Sequence, residues 1–186
     1  GALGPDLQNA AVEALRTVAA AAPFIRPVTR RGPMSVRMTA AGHFGWVSSP
    51  SGYGYAARQP SGTGWPAIPA LFEDLWQRVA PEARAPECCL VNFYGQDARM
   101  GLHQDRDEAD FTQPVVSVSL GDDALFRIGN ETRGGSTRSV WLHSGDVAVL
   151  AGASRLRFHG VDRIRFGSST LLPEGGRINV TLRVVT

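Results

Sequence analysis

Hydrophobic side chains recur every three or four residues in two segments of the chain, and both segments are predicted to be helices. In residues 6–22 the apolar positions return at helical spacing, and Pro23 follows where a helix would end. In residues 69–80 the apolar positions again lie on one helical face. The many alanines of the first segment indicate a helix that packs on the outside of a larger unit.

After residue 88 the hydrophobic period changes from helical to alternating, which predicts a run of short strands. The predicted strands cover residues 89–94, 114–120, 124–128, 139–142, 147–150, 156–159 and 178–184. Glycine-containing dipeptides such as Gly121-Asp122 and Gly145-Asp146 separate the strands and are predicted to form turns. Many short strands after two helices predict a mostly β fold with flanking helices, in which an antiparallel double sheet forms a jelly roll.

The segment between the two helices gives a weaker pattern. Residues 34–38 alternate apolar and polar side chains and predict one short strand. Residues 42–66 combine six glycines with tryptophans and tyrosines. Such a composition is typical of a mobile binding loop, and equally of a surface hairpin whose aromatic side chains pack inward.

Composition places the chain among globular proteins. Its 186 residues suit a single domain over residues 1–186, and 43% of them are hydrophobic. No apolar run reaches the ~18 residues that span a bilayer, and no secretory leader is visible. The two cysteines, Cys88 and Cys89, are adjacent, so buried thiols are expected rather than a disulfide. We expect a cytoplasmic monomer that does not contact membranes.

The charge pattern is notable for its arginines. The net charge is only +2, but all 19 basic residues are arginines. Arginine binds carboxylates and phosphates through paired hydrogen bonds and stacks on bases. This balance permits a nucleic acid partner without requiring one.

The segment around His103-Gln-Asp105 carries the candidate chemistry. On an extended segment, residues two apart point to the same side, so this imidazole and carboxylate would face one point. His159 lies far downstream. Two histidines and one carboxylate with open positions beside them suit a non-haem Fe(II) oxygenase. The other two histidines, His43 and His143, are expected to be structural.

Three protein ligands would leave three positions on the iron for dioxygen and a bidentate keto acid. Arg177 and Arg183 lie six residues apart on one predicted strand, with Asn179 between them on the same face. An arginine that faces into a small barrel is costly unless it pairs with an anion. The alternative is that this face meets solvent. Asn92 and Tyr94 alternate likewise on another strand and could bind a carboxylate.

Several segments resemble the AlkB family of Fe(II)- and 2-oxoglutarate-dependent dioxygenases in residue type, order and spacing. The matching core segments are Asn92-Phe-Tyr94, Leu102-His-Gln-Asp105-Arg-Asp-Glu108, Val116-Ser-Val-Ser-Leu-Gly121, His143-Ser-Gly-Asp146, Ser154-Arg-Leu-Arg-Phe-His159-Gly and Arg177-Ile-Asn-Val-Thr-Leu-Arg183. Upstream, Met34-Ser-Val-Arg-Met38, Gly42-His-Phe-Gly-Trp46 and Gly52-Tyr-Gly-Tyr55 resemble the nucleotide-recognition lid of the bacterial enzymes.

The resemblance implies a double-stranded β-helix, the cupin-like form of the jelly roll, with an N-terminal nucleotide-recognition lid. Residues 1–88 would supply the helices and the lid, and residues 89–186 the β-helix core. The implied activity is oxidative demethylation of 1-methyladenine and 3-methylcytosine in DNA, single-stranded or with the base flipped out, and RNA stays open as a substrate. The implied cofactors are Fe(II), 2-oxoglutarate and O2, and the products are formaldehyde, succinate and CO2.

The resemblance also implies a role for each matching residue. The implied iron ligands are His103, Asp105 and His159. The implied 2-oxoglutarate ligands are Asn92, Tyr94, Arg177, Asn179 and Arg183. Trp46 and His103 would sandwich the flipped base, while Tyr53 and Tyr55 would hold the backbone of the lesion. Asp107 with Glu108 would meet the exocyclic amine, and Arg133 would lie beside the base.

Two other interpretations compete with this one. The first is a tRNA or protein hydroxylase on the same scaffold, which Trp46, Tyr53, Tyr55 and Asp107 together disfavour. The second is a non-catalytic cupin-like binding domain. That interpretation is disfavoured because all three candidate metal ligands and both arginines of the last strand are present.

Overall fold

The computed structural model describes residues 1–29, 32–49 and 52–186. In chain order its elements are α1 (Pro5–Ala21), β1 (Val28–Thr29), β2 (Gly32–Pro33), β3 (Arg37–Gly42), β4 (Gly45–Ser49), β5 (Gly52–Ala56), α2 (Ala70–Val79), β6 (Cys88–Tyr94), β7 (Met100–His103), β8 (Val115–Gly121), β9 (Asp123–Ile128), β10 (Arg138–Leu142), β11 (Val147–Leu150), a short 3-10 helix (Gly152–Ser154), β12 (His159–Arg165) and β13 (Arg177–Arg183).

Two antiparallel sheets form the body of the molecule. The major sheet has the strand order β11-β8-β13-β6-β3, and the minor sheet has the order β10-β9-β12-β7. From β6 onward the chain passes back and forth between the two sheets, which is the winding of a double-stranded β-helix. Side chains from both sheets, including Tyr94 of the major sheet and Val161 of the minor sheet, share one buried cluster. The predicted jelly roll is confirmed.

Both helices pack on the outer face of the major sheet. Val12 and Leu15 of α1 and Phe72 and Trp76 of α2 join one apolar cluster with alternate residues of the sheet strands. Both predicted helices are confirmed to within a residue or so at each end. Neither helix in the described part of the chain has the length and apolar content needed to cross a membrane.

Two predicted strands were misplaced. The strand expected at residues 34–38 begins only at Arg37 and continues to Gly42. Its four consecutive buried residues, 38–41, show no alternation, so the period-two signal does not mark the strand. The strand expected at residues 156–159 instead starts at His159 and continues to Arg165. A register shift after Val161 breaks the alternation there, so the period-two signal is lost.

The glycine-rich segment forms a hairpin, which decides between the two alternatives left open by its composition. β4 and β5 pair antiparallel as a separate two-stranded sheet. Trp46 and Tyr55 pack inward against a buried cluster that contains Cys88 and Leu90. We call this hairpin the lid. Both cysteines are free and buried, as expected.

The division expected at residue 88 does not follow the sheets. β3 comes from the first part of the chain, but it pairs with β6 along six residues as the edge strand of the major sheet. Cys88 is itself the first residue of β6. The major sheet therefore takes β3 from the part before the expected boundary, and its other four strands come from the part that begins at β6.

Candidate metal centre and co-substrate pocket

The three predicted metal ligands come together where the minor sheet faces the major sheet. His103 ends β7 and His159 begins β12, and the two residues are directly opposite in the strand register. Potential ligand atoms of His103, Asp105 and His159 all lie within 4.8 Å of one another. Nε2 of His103 lies 3.7 Å from Asp105 Oδ1, and Nε2 of His159 lies 3.5 Å from Asp105 Oδ2.

Backbone contacts orient both imidazoles. Nδ1 of His103 lies 2.9 Å from the Gly101 carbonyl oxygen, and Nδ1 of His159 lies 2.9 Å from that of Arg157. An imidazole that donates its Nδ1–H to a carbonyl presents an unprotonated Nε2 to a metal. Gly160 allows β7 to approach, because a Cβ there would lie 2.5 Å from the Met100 carbonyl oxygen.

The charge states also suit a cation. Burial would raise the pKa of Asp105, but Arg183 and the two histidines outweigh it and hold the pKa below the usual range. Burial is the main reason that the pKa of His103 is lowered. An ionised carboxylate beside a neutral imidazole is the state that binds metals. Two nitrogen donors and one oxygen donor would fit ferrous iron.

The inner face of β13 provides the second half of the site. Its alternate residues Arg177, Asn179, Thr181 and Arg183 point away from the helices, and both arginines are buried rather than exposed to solvent. Arg177 Nη2 donates to Ser119 Oγ at 2.7 Å, and Asn179 Nδ2 donates to Ser117 Oγ at 2.7 Å. Asn92 and Tyr94 lie opposite Asn179 and Arg177 on the neighbouring β6.

Arg177 is a buried cation without a carboxylate within salt-bridge distance in the described part of the chain. Burial lowers its pKa to about 10. Next to it, burial raises the pKa of Tyr94 to about 12, so the phenol stays protonated and able to donate a hydrogen bond. A buried guanidinium is costly unless an anion pairs with it, so this end of the face fits a carboxylate.

Buried polar atoms without partners mark the same place. Among the described residues, the buried side-chain nitrogen and oxygen atoms without a hydrogen-bond partner are Asn92 Oδ1, Asp105 Oδ2, Arg177 Nε and Nη1, Thr181 Oγ1 and Arg183 Nε. Every one belongs to the metal ligands or to the inner face of β6 and β13. Leaving such a group unpaired costs about 1–3 kcal/mol, so these residues fit a polar ligand. A keto acid with two carboxylates has the matching groups, and 2-oxoglutarate is such an acid.

Glu108 does not lie where the resemblance suggested. Its carboxylate is fully buried, and both oxygens bind protein groups. Oε1 accepts hydrogen bonds from Tyr55 at 2.6 Å and Arg183 at 2.8 Å, and Oε2 lies 3.1 Å from Arg155 Nη2. Burial would raise its pKa, but Arg183 outweighs that and lowers it. Glu108 therefore has no oxygen free for an exocyclic amine.

Arg155 is a site residue that the sequence analysis missed. It is almost completely buried, and its Nη1 donates to the Asp105 carbonyl oxygen at 2.8 Å while Nη2 contacts Glu108. Arg183 belongs to the same buried group of charges, because its Nη1 lies 3.1 Å from Asp105 Oδ1. The only sequence signal was its place four residues before His159. The tertiary contacts give it its role, which is to fix the loop that carries Asp105.

A cavity of about 250 Å³ connects the metal ligands with the lid. Trp46 and Tyr53 of the lid and His103 of the candidate metal centre all line it. The Trp46 and Tyr53 rings are 5.4 Å apart between centroids, and Trp46 Nε1 donates to Asp107 Oδ2 at 3.0 Å. An aromatic wall with a carboxylate at its edge suits a flat, positively charged ring.

Two other predicted substrate residues do not line this cavity. The hydroxyl of Tyr55 points into the protein toward Glu108, so it is not free to hold a substrate backbone. Arg133 is exposed on the loop after β9, with its guanidinium 5.2 Å above the Phe158 ring. That loop touches the cavity wall through Gln104, whose side-chain amide donates to the Glu131 carbonyl oxygen.

Comparison with known proteins agrees with this geometry. The family model described as the 2OG-Fe(II) oxygenase superfamily matches residues 3–183. An alpha-ketoglutarate-dependent dioxygenase AlkB homolog of Caulobacter vibrioides is 54% identical over 185 residues, covering 98% of this chain and 84% of the relative. The alpha-ketoglutarate-dependent dioxygenase AlkB of Escherichia coli is 41% identical, and the match covers 94% of this chain and 85% of the relative. The solved structure of OsALKBH1 superposes with a TM-score of 0.85 at 31% identity, covering 98% and 94%.

More distant relatives carry names that state their substrates. A DNA N(6)-methyladenine demethylase of Arabidopsis thaliana is 37% identical and covers 63% of this chain and 33% of the relative. A tRNA demethylase of Schizosaccharomyces pombe is 33% identical and covers 64% and 41%. The candidate metal ligands, the buried arginine face and these matches agree with one another. The chain belongs to the AlkB family of Fe(II)- and 2-oxoglutarate-dependent dioxygenases.

Proposed function

We propose that this enzyme removes alkyl groups from the ring nitrogens of nucleobases, with 1-methyladenine and 3-methylcytosine in DNA as the principal substrates. The observation that carries the proposal is the shared cavity, which both Trp46 of the lid and His103 of the candidate metal centre line. A base that is flipped out of a strand can occupy a space lined by an aromatic wall and a metal centre. The names of the relatives, which include DNA and tRNA demethylases, support the same substrate class.

Selectivity would come from charge and stacking. Methylation at these ring nitrogens gives the base a positive charge, and Asp107 at the edge of Trp46 supplies the opposite charge. A normal base is neutral and gains less from that carboxylate. Stacking on an aromatic side chain contributes about 1–3 kcal/mol per base, which offsets part of the cost of unstacking. Tyr53 is largely exposed at the entrance, where it can contact the strand next to the target base.

The remaining residues hold the reactants in place. His103, Asp105 and His159 would hold Fe(II), and Arg177 would pair with the distal carboxylate of 2-oxoglutarate. Arg183, Asn179, Asn92 and Tyr94 would order the rest of that molecule. Bound together with dioxygen, iron and 2-oxoglutarate supply the oxidation that converts an N-methyl group to formaldehyde. The protein contributes position, exclusion of water and electrostatic selection.

The experiment that tests the proposal is a substrate comparison. Purified enzyme with Fe(II), 2-oxoglutarate and O2 is offered methylated single-stranded DNA, methylated RNA of the same sequence, and a peptide. We expect loss of 14 mass units from methylated DNA with stoichiometric formaldehyde and succinate. Turnover confined to the RNA would favour a tRNA-type demethylase, and turnover confined to the peptide would refute the proposal. Asp105→Ala is the control for adventitious iron chemistry.

Two Trp46 variants separate stacking from hydrogen bonding. Trp46→Ala removes the ring and should raise the KM for methylated DNA by about 5- to 150-fold, the equivalent of about 1–3 kcal/mol. Trp46→Phe keeps a ring but loses the N–H that Asp107 accepts, so it should retain most of the affinity. In both variants, 2-oxoglutarate consumption without substrate should remain detectable. Equal KM values in wild type and Trp46→Ala would contradict the stacking role.

A further inference from the structure

Three open clefts join into one groove outside the catalytic cavity. The first is lined by Arg26 and Arg37, and it shares Ser35 and residues 96–98 with the second. The second shares Arg99 with the third. The three clefts have volumes of about 400, 730 and 330 Å³. We call this continuous surface the arginine groove; its arginines are Arg26, Arg37, Arg99, Arg127 and Arg163.

The arginine groove concentrates positive charge. Its lining holds five arginines against two acidic residues, Asp97 and Asp162, which gives a net charge of +3. The whole chain carries +2, so the rest of the protein is slightly negative. Of these arginines, only Arg127 has a carboxylate partner in the described part of the chain, Asp162 at 3.3 Å. The others are exposed and able to bind an anion.

Aromatic side chains accompany the arginines. Phe93 lines the first cleft, with the Arg37 guanidinium 4.6 Å above its ring. Phe166 lines the second cleft and is 44% exposed, although a large apolar side chain is normally buried. Surfaces that bind single-stranded nucleic acid combine a positive groove with exposed aromatic rings on which bases stack.

The groove runs directly beside the catalytic cavity. Met100 lines both the cavity and the third cleft, and Met34, another cavity residue, adjoins Ser35 in the first two clefts. Ser35 and Arg99 fix the wall between them, because Ser35 Oγ donates to the Arg99 carbonyl oxygen at 3.0 Å and the Arg99 amide lies 3.1 Å from Ser35 Oγ. A strand in the groove would therefore pass within one residue of the cavity wall.

We propose that the arginine groove, beside the catalytic cavity, binds the phosphodiester backbone of the strand that carries the target base. This inference rests on the proposed function, because it takes the substrate strand as the occupant. Exposed arginines that are not paired with carboxylates bind phosphate at little cost in existing contacts. The groove holds the strand independently of the base in the cavity, so that sequence and lesion do not affect its contribution.

The test uses binding rather than turnover. The dissociation constant of an unmodified oligothymidylate is measured by fluorescence anisotropy over a series of salt concentrations. The double variant Arg26→Gln/Arg163→Gln is compared with Arg16→Gln/Arg78→Gln, which removes the same charge from α1 and α2 on the outside of the major sheet. Each lost phosphate contact should reduce the slope of log K against log salt by about 0.7 for a single strand.

We expect a smaller slope of log K against log salt for the groove variant, together with several-fold weaker binding. The control variant should match wild type in both quantities. Equal losses in the two variants would mean that only net charge matters, and no loss in the groove variant would mean that the strand lies elsewhere; either result overturns the proposal. If the groove bound an acidic protein but not oligothymidylate, the proposal would also be overturned.

A second readout separates this inference from the proposed function. Turnover of a 1-methyladenine mononucleotide, which lacks flanking phosphates, should be the same in wild type and in both variants. Turnover of a methylated oligonucleotide should fall only in the groove variant. If wild type acts on no methylated base, the proposed function fails, and the binding series still reports on the groove. If oligonucleotide turnover is unchanged in the groove variant, the proposal that the groove binds the strand is refuted, and the proposed demethylase function is unaffected.

Discussion

Both faces of β13 are largely buried, and they are opposite in chemistry. Val180 and Leu182 point toward the helices and are completely buried in an apolar cluster. Arg177 and Arg183 on the other face are 1% and 7% exposed, so they are also removed from water. One strand of seven residues therefore supplies both part of the core and the side of the site proposed for the co-substrate.

The difference shows how the protein divides stability from function. Burial of apolar side chains stabilises the helix-facing side of the sheet at about 25 cal/mol per Å² removed from water. The inner side carries the unpartnered nitrogen and oxygen atoms, each of which costs free energy in the folded protein. The inner face persists in the folded protein because apolar burial on the helix-facing side offsets this cost in free energy. The inner face is thus arranged for a ligand rather than for stability.

The largest effect should come from the metal ligands. Asp105→Ala or His159→Ala should reduce turnover to the level of the reaction without enzyme, because two donors cannot hold the ion in place. The circular dichroism spectrum and melting temperature should show that the double sheet is intact. His143→Ala removes a histidine outside the site and is the matched control. Retained iron-dependent turnover in either ligand variant would refute the assignment.

A core substitution should give the opposite pattern. Leu182→Ala should lower the free energy of unfolding by about 2–5 kcal/mol, since it leaves a cavity in a close-packed cluster. The KM for 2-oxoglutarate of the molecules that remain folded should be unchanged. Urea denaturation measures the first quantity and steady-state kinetics below the transition measures the second. A raised KM would show that the two faces of β13 are not independent.

The buried cation should affect binding more than stability. Arg177→Gln should raise the KM for 2-oxoglutarate by about 30-fold or more, the equivalent of losing about 2 kcal/mol from a buried charge pair. Because Arg177 has no carboxylate partner in the described part of the chain, its removal should not lower the melting temperature. The KM for DNA should stay the same. A lower melting temperature with an unchanged KM would mean that Arg177 is structural.

The smallest effect should be a change in the pH dependence of unfolding. Arg183 lowers the folded-state pKa of Glu108, so this carboxylate contributes stability above its unfolded pKa of about 4.3, and the contribution is lost as the pH falls further. Glu108→Gln cannot titrate. Between pH 6 and pH 3 the variant should therefore lose less stability than wild type, by on the order of 1 kcal/mol. Parallel curves in urea titrations would contradict the buried ion pairs.

Local periodicity was sufficient to predict most of the fold. Helical spacing located α1 and α2, and alternation located most strands of the two sheets. It failed where burial on both sides removes alternation, as in β3, and where a bulge shifts it, as in β12. The failures at β3 and β12 have the same reason: a pattern read along the chain reports one exposed face per element, and these strands do not keep one. The short strand β7 was not among the predicted strands.

For the site, the sequence by itself determined which residue types could bind iron and a dicarboxylate, because the spacing of His103 and Asp105 and of Arg177 and Arg183 is a property of extended backbone. Only the tertiary structure decided the partners. Glu108 stands one residue from Asp107, but its carboxylate meets arginines 47 and 75 residues away, and the arginine groove collects side chains from distant segments. Pairing of charges depends on distance in space, which short-range periodicity does not contain.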